Sequence, residues 1–269
     1  MACNCCPEGA EPLRMMKDYV PKHSMGTIKS LPCYVATPTA PTSRGVIMFA
    51  DMFGVHTGRH KQFCDMLAEK GYLTVCPDFI SQNPYTCCAP TFGTTSCCIV
   101  EFVCLLLTGS FNRKTRTFGW DVYMKQKVMG EIVPWMTEKG VTSFAAVGFC
   151  WGTYGAMKCS AYPEFKCAAG FHPSNEGFCQ ATGEDDLQVC REIKCPQLMI
   201  ASKMESARWK PDGEAHKACQ VALPGKVKWE VEAEQGHGYM TRGDTTKPEN
   251  MEAVKRGWES MLTLFKDNL

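Results

Sequence analysis

The sequence predicts an α/β protein, with a mostly parallel central sheet and helices on both faces. Three observations carry that expectation. Short apolar runs of strand length alternate with longer stretches whose apolar residues recur at helical spacing. Several runs are apolar along their whole length, as strands covered on both faces are. The breaks between them fall on Gly, Pro and Asp, the residues that end helices and make turns.

The elements follow in order. Residues 45–50 (G-V-I-M-F-A) read as a strand. Residues 59–70 place Phe63, Met66 and Leu67 on one helical face, and Gly71 ends the helix. Residues 72–76 form the next strand, closed by Pro77 and Asp78. A long helix is expected over 120–139, with Val122, Val128, Ile132, Val133 and Met136 on its apolar side. Residues 144–149 read as a buried strand and 152–162 as the helix after it. Further strands are expected at 167–171 and 197–202, and a more exposed, alternating one at 227–231. A closing helix over 248–265 spaces Met251, Val254, Trp258, Met261 and Leu262 along one face. The reading is one domain over 1–269, with an N-terminal extension at 1–30 and a cap or loop insertion at 81–116.

Composition narrows the function. The chain is 45% hydrophobic and 21% charged, ordinary for a globular protein long enough to bury a large core. Lys plus Arg number 29 and Asp plus Glu 28, so there is no basic excess for a nucleic-acid partner. The start, M-A-C-N-C-C-P, holds no apolar signal segment. Residues 97–107 are interrupted by Glu101 and fall short of the ~20 residues that cross a bilayer. A cytoplasmic protein without a membrane span is expected. The 18 cysteines then read as reduced thiols, most of them serving as small apolar residues. No C-x-x-C pair is matched by a second, so no metal is expected, and no cofactor. The Cys3-Cys5-Cys6 cluster stays open to a metal or an acyl chain.

The sharpest chemical signal is G-F-C-W-G at 148–152, between a buried strand and a helix. This is the nucleophile-elbow pattern of the α/β-hydrolase fold, with cysteine as the nucleophile. Its glycines permit a tight turn that exposes Cys150 at a helix N-terminus, where the dipole favours a thiolate. The Trp151 N–H is placed to serve as an oxyanion donor. The triad order of that fold is nucleophile, acid, base. His237, in the loop G-H-G-Y between the last strand and the last helix, fits the base. Glu205 is the first carboxylate after the strand ending at Ser202 and fits the acid, with Asp212 as the alternative. The acid would accept the histidine Nδ1–H and fix its tautomer.

These residues, with C-C-P-E-G near the start, D-M-F-G-V at 51–55, R-H-K-Q-F-C-D-M-L-A-E-K-G-Y with P-D-F after it, P-Q-L-M-I and G-H-G-Y-M-T-R-G-D, resemble the dienelactone hydrolase family. The cysteine-rich start is similar to the family's eukaryotic branch. The resemblance implies a carboxymethylenebutenolidase-type hydrolase of small esters or enol-lactones, working through an acyl-thioester. It implies that Asp51 regulates the nucleophile's ionisation, that Met52 gives a second oxyanion N–H, and that Arg242 binds a substrate carboxylate. The chain departs from the family pattern at Asp51 and Glu205, where Glu and Asp are usual, and at Thr153, where glycine is common. A second carboxylate-binding arginine could be Arg113 or Arg116. A binding protein that kept the fold without catalysis is the competing reading. A thiol redox protein would need Cys159 as the resolving thiol. The expected partner is a small ester or lactone; oligomeric state stays open.

Overall fold

The computed structural model describes residues 19–80 and 117–269. The cap expected at 81–116, Arg113, Arg116 and the Cys3-Cys5-Cys6 cluster lie outside those residues. Strands β1 (Met25–Ile28), β2 (Leu31–Ala36), β3 (Arg44–Phe49), β4 (Leu73–Pro77), β5 (Ser143–Phe149), β6 (Phe165–Phe171), β7 (Gln197–Ser202) and β8 (Val227–Glu232) form one sheet. Their order is β1-β2-β4-β3-β5-β6-β7-β8. β1 and β2 pair antiparallel, as do β2 and β4, and every other neighbour is parallel.

The sheet is covered on both faces, and this explains the unbroken apolar runs. Successive side chains of a strand point to opposite faces. In β5, Phe144 and Ala146 join a cluster with Met124, Val128, Ile132 and Tyr154. Ala145, Val147 and Phe149 join another with Phe63, Leu67, Trp258 and Phe265. A strand with two cores to feed has no position left for a polar residue. β8 lies at the edge, and only Trp229 of its six residues is buried.

Two expectations change. The sheet begins inside the segment read as an extension, because Met25–Ile28 is its edge strand. β2 went unread in the sequence, and it holds Pro32, which lacks a ladder N–H. The proline is tolerated because it precedes the β4 ladder, which starts at Cys33 opposite Pro77. The helix over 120–139 is present, but Trp120–Met124 and Val128–Ile132 are π-turns, with Lys125–Lys127 and Val133–Glu138 α-helical. Its buried line is Trp120, Met124, Val128, Ile132 and Met136, one residue in four. An α-helix of 3.6 residues per turn would drift off that line, and the wider turns hold it on the sheet. Val122 is therefore not on the apolar side and stands 73% exposed. Met251 is also exposed, in the first turn of the closing helix Pro248–Asn268.

Parallel strands aligned this way bring their carboxyl ends to one edge, where open α/β sheets build their sites. Asp51 follows β3, Cys150 follows β5, Ser174 follows β6, Glu205 follows β7 and His237 follows β8.

Candidate active site

The elbow is as tight as its glycines suggest. A Cβ on Gly148 would stand 2.2 Å from the Gly152 carbonyl oxygen, and one on Gly152 would stand 2.5 Å from that of Phe49. Cys150 itself has φ 58°, in the left-handed region that non-glycine residues rarely enter. The surroundings hold it there. Its N–H donates to the Phe171 carbonyl at 3.0 Å, and its carbonyl accepts from Thr153 at 3.2 Å and Ser174 at 3.1 Å. Strain of this kind concentrates at functional sites. The helix Gly152–Cys159 starts two residues later.

His237 and Glu205 meet. The Nδ1 of His237 is 2.6 Å from Glu205 Oε1. Glu205 is buried and is held in turn by the backbone N–H and the hydroxyl of Ser202. That leaves Nε2 directed to the nucleophile side, 3.4 Å from the Ser174 hydroxyl. The same hydroxyl is 3.4 Å from the Cys150 sulfur. Asp212, the alternative acid, has a 91% exposed side chain and faces His216 instead.

The electrostatics separate Cys150 from the other thiols. Every described cysteine is buried and free. Burial pushes Cys33, Cys159, Cys167 and Cys179 upward. Burial also raises Cys150, but the His237 imidazolium more than offsets it, and the thiol falls below its usual range. Burial lowers His237 in the same way, and the adjacent Cys150 thiolate and Glu205 carboxylate overcome it, so its pKa is raised. Each group thus favours the charged form of the other.

The opposite wall joins two predicted residues that the sequence did not connect. Arg242, in the short helix Tyr239–Arg242, donates from Nε and Nη2 to the two Asp51 oxygens at 2.9 and 2.7 Å. The Thr241 hydroxyl and the Phe53 N–H donate to the same carboxylate at 2.8 and 3.0 Å. The guanidinium also donates to Thr57 at 2.6 Å and lies 4.1 Å over the Phe53 ring. Burial alone raises Asp51; Arg242 outweighs it and holds the carboxyl far below the usual range. His60 completes the wall as a neutral ring. Its Nε2 accepts the Asp51 backbone N–H at 3.1 Å, and its Nδ1 is 2.7 Å from the Thr57 carbonyl. A nitrogen that accepts an N–H carries no proton, so the 3.6 Å approach to the Asp51 carboxylate is not an ion pair.

Between the walls lies a cavity of roughly 280 Å³. Cys150, His237, Glu205, Asp51, Arg242 and Ser174 all border it, and Met52, Phe53, Pro173 and Met204 give it apolar sides. The Met52 and Trp151 N–H groups donate to no backbone or side-chain acceptor among the described residues, which leaves them available to a ligand oxygen. Six of the seven predicted site residues thus border one cavity, and the seventh, Trp151, follows Cys150 in the chain. Two neighbours went unread. Ser174 follows a strand end, which was the available signal. His172, with φ 40°, packs edge-on to His237 at 5.0 Å, and burial keeps it neutral.

Comparison with known proteins identifies the family and the fold. The model of the dienelactone hydrolase family matches residues 31–269. A carboxymethylenebutenolidase homolog of Xenopus tropicalis is 24% identical over 256 residues, covering 91% of this chain and 90% of that protein. A crystal structure of a dienelactone hydrolase candidate from Klebsiella pneumoniae superposes with a TM-score of 0.64 at 18% identity, over 90% of this chain and 97% of that one. An acylaminoacyl peptidase of Pyrococcus horikoshii gives 0.59 at 14% identity, with 94% of this chain matched to 42% of that one. The two structures share the α/β-hydrolase fold.

Proposed function

The chain belongs to the dienelactone hydrolase family and is an ester-bond hydrolase, and from that premise we propose that Cys150 is its nucleophile, with His237 as base and Glu205 as the acid that orients it. The observation that carries the reading is one chain of contacts. The Glu205–His237 bond fixes the imidazole, whose far nitrogen faces the one described cysteine that is drawn below its usual pKa although buried. The substrate is a small ester or enol-lactone. The thiolate attacks its carbonyl carbon, and the carbonyl oxygen becomes an oxyanion to which the Met52 and Trp151 N–H groups donate. Collapse expels the alkoxide or enolate, which takes the proton from His237 Nε2. An acyl-thioester on Cys150 remains. Water then gives a proton to His237 and attacks the thioester, and C–S cleavage releases the acid product and leaves the Cys150 thiolate beside protonated His237.

Arg242 extends the reading to carboxylate-bearing substrates. A substrate carboxylate in the cavity competes with Asp51 for the guanidinium, the partner that Arg binds by paired N–H bonds. Asp51, released from Arg242, then sits as a charge beside the nucleophile. A cytoplasmic setting, which keeps thiols reduced, suits this chemistry.

Hydrolysis of p-nitrophenyl acetate tests the proposal. Cys150→Ala should stay folded and lose at least about 10³-fold in kcat/KM. Iodoacetamide should inactivate the wild type in proportion to Cys150 labelling. A folded, active Cys150→Ala overturns the assignment.

A further inference from the structure

Ser174 stands at the N-cap of the helix Asn175–Thr182. A serine there ordinarily turns its hydroxyl back onto a helix N–H. Ser174 makes no such cap bond. Its backbone N–H is tied to the Cys150 carbonyl at 3.1 Å, which locks the two residues side by side. Its hydroxyl reaches 3.4 Å to the Cys150 sulfur and 3.4 Å to His237 Nε2. The hydroxyl has given up its local role and lies beside the two reacting groups, within reach of both.

We propose that Ser174 is a further catalytic residue, a fixed hydroxyl that donates to the Cys150 sulfur while it accepts from His237 Nε2. The proposal rests on the reading of Cys150 as nucleophile. On ionisation the S–H bond breaks and an Nε2–H bond forms, giving thiolate and imidazolium. In that state Oγ accepts Nε2–H and donates to the sulfur. Cys150 is only 7% exposed, so few waters reach the anion, and a fixed donor supplies what solvent cannot. When the leaving group takes the Nε2 proton, Ser174 keeps the imidazole aimed into the cavity.

The test follows the rate of iodoacetamide alkylation at Cys150 against pH, read by peptide mass, in wild type, Ser174→Ala and Ser174→Thr. Circular dichroism checks that each is folded. With that donor lost, the Ser174→Ala profile should move up by about one pH unit, and alkylation at pH 6 should slow roughly tenfold. Ser174→Thr retains the hydroxyl and should stay within about twofold of wild type. A purely structural serine would not move the midpoint. Superimposed wild-type and Ala profiles, or Ala and Thr profiles moved alike, overturn the proposal. Failure of the parent reading is distinct, because Cys150→Ala would then still hydrolyse p-nitrophenyl acetate.

Discussion

The two walls of the cavity both set polar groups against one another and are built to different ends. On one side, Cys150, His237 and Ser174 meet through 3.4 Å contacts around a strained residue, with the imidazole still 16% exposed. On the other, Asp51 and Arg242 are 2% and 4% exposed and share two bonds of 2.9 Å or less. The first wall holds protons that can move. The second holds charges that are already neutralised by one another. Long contacts in a resting site tighten only when substrate arrives, whereas a buried ion pair contributes most clearly when one partner is taken away. The difference teaches which wall should answer to rate and which to stability.

Glu205→Gln should separate the walls most sharply. It keeps the shape but offers His237 the wrong partner, and kcat should fall by roughly 10²–10⁴ with the melting temperature little changed. A variant with near-normal kcat would break the comparison and leave the site a dyad. Asp51→Ala should do the reverse to stability. It strands the Arg242 charge in the interior, at a cost of about 3–5 kcal/mol in urea unfolding. An unaffected midpoint would mean that the pair is not structural.

The pH dependence of the second wall has a defined sign. Asp51 has a depressed folded pKa. Its contribution is complete above the ordinary carboxylate value near pH 4 and is lost as pH falls through the folded value. Wild type should therefore lose more stability than Asp51→Asn on acidification below about pH 4. Parallel curves would remove Asp51 from the account.

Arg242→Ala should have a smaller and more selective effect. KM should rise about tenfold for a carboxylate-bearing ester and less for its neutral methyl ester. Equal changes would assign Arg242 to structure alone. Asp212→Asn should change kcat less than twofold, since its side chain is solvated and far from the His237 contacts.

Much of this was legible in the sequence, for physical reasons. Runs such as F-A-A-V-G-F are apolar throughout because two cores claim them, and the elbow glycines are forced by backbone approaches under 3 Å. Glu205 was legible as the first carboxylate after β7, and its contact with His237 is where that position leads. Other features were hidden. Val122 fits an α-helical face, and only the π-turns turn it outward. The Asp51–Arg242 pair joins residues from opposite ends of the chain, and no local pattern links them. Ser174 looked like any serine before a helix. Its role depends on where β6 sits between β5 and β7, which topology decides and spacing does not.

The central claim is that the acyl group passes through Cys150. Intact and peptide mass spectrometry after rapid acid quench of the wild type with p-nitrophenyl acetate tests it most directly. The account predicts a transient acetyl adduct confined to the peptide carrying Cys150 and absent in Cys150→Ala. An adduct on Ser174, or turnover by Cys150→Ala without any adduct, would contradict it.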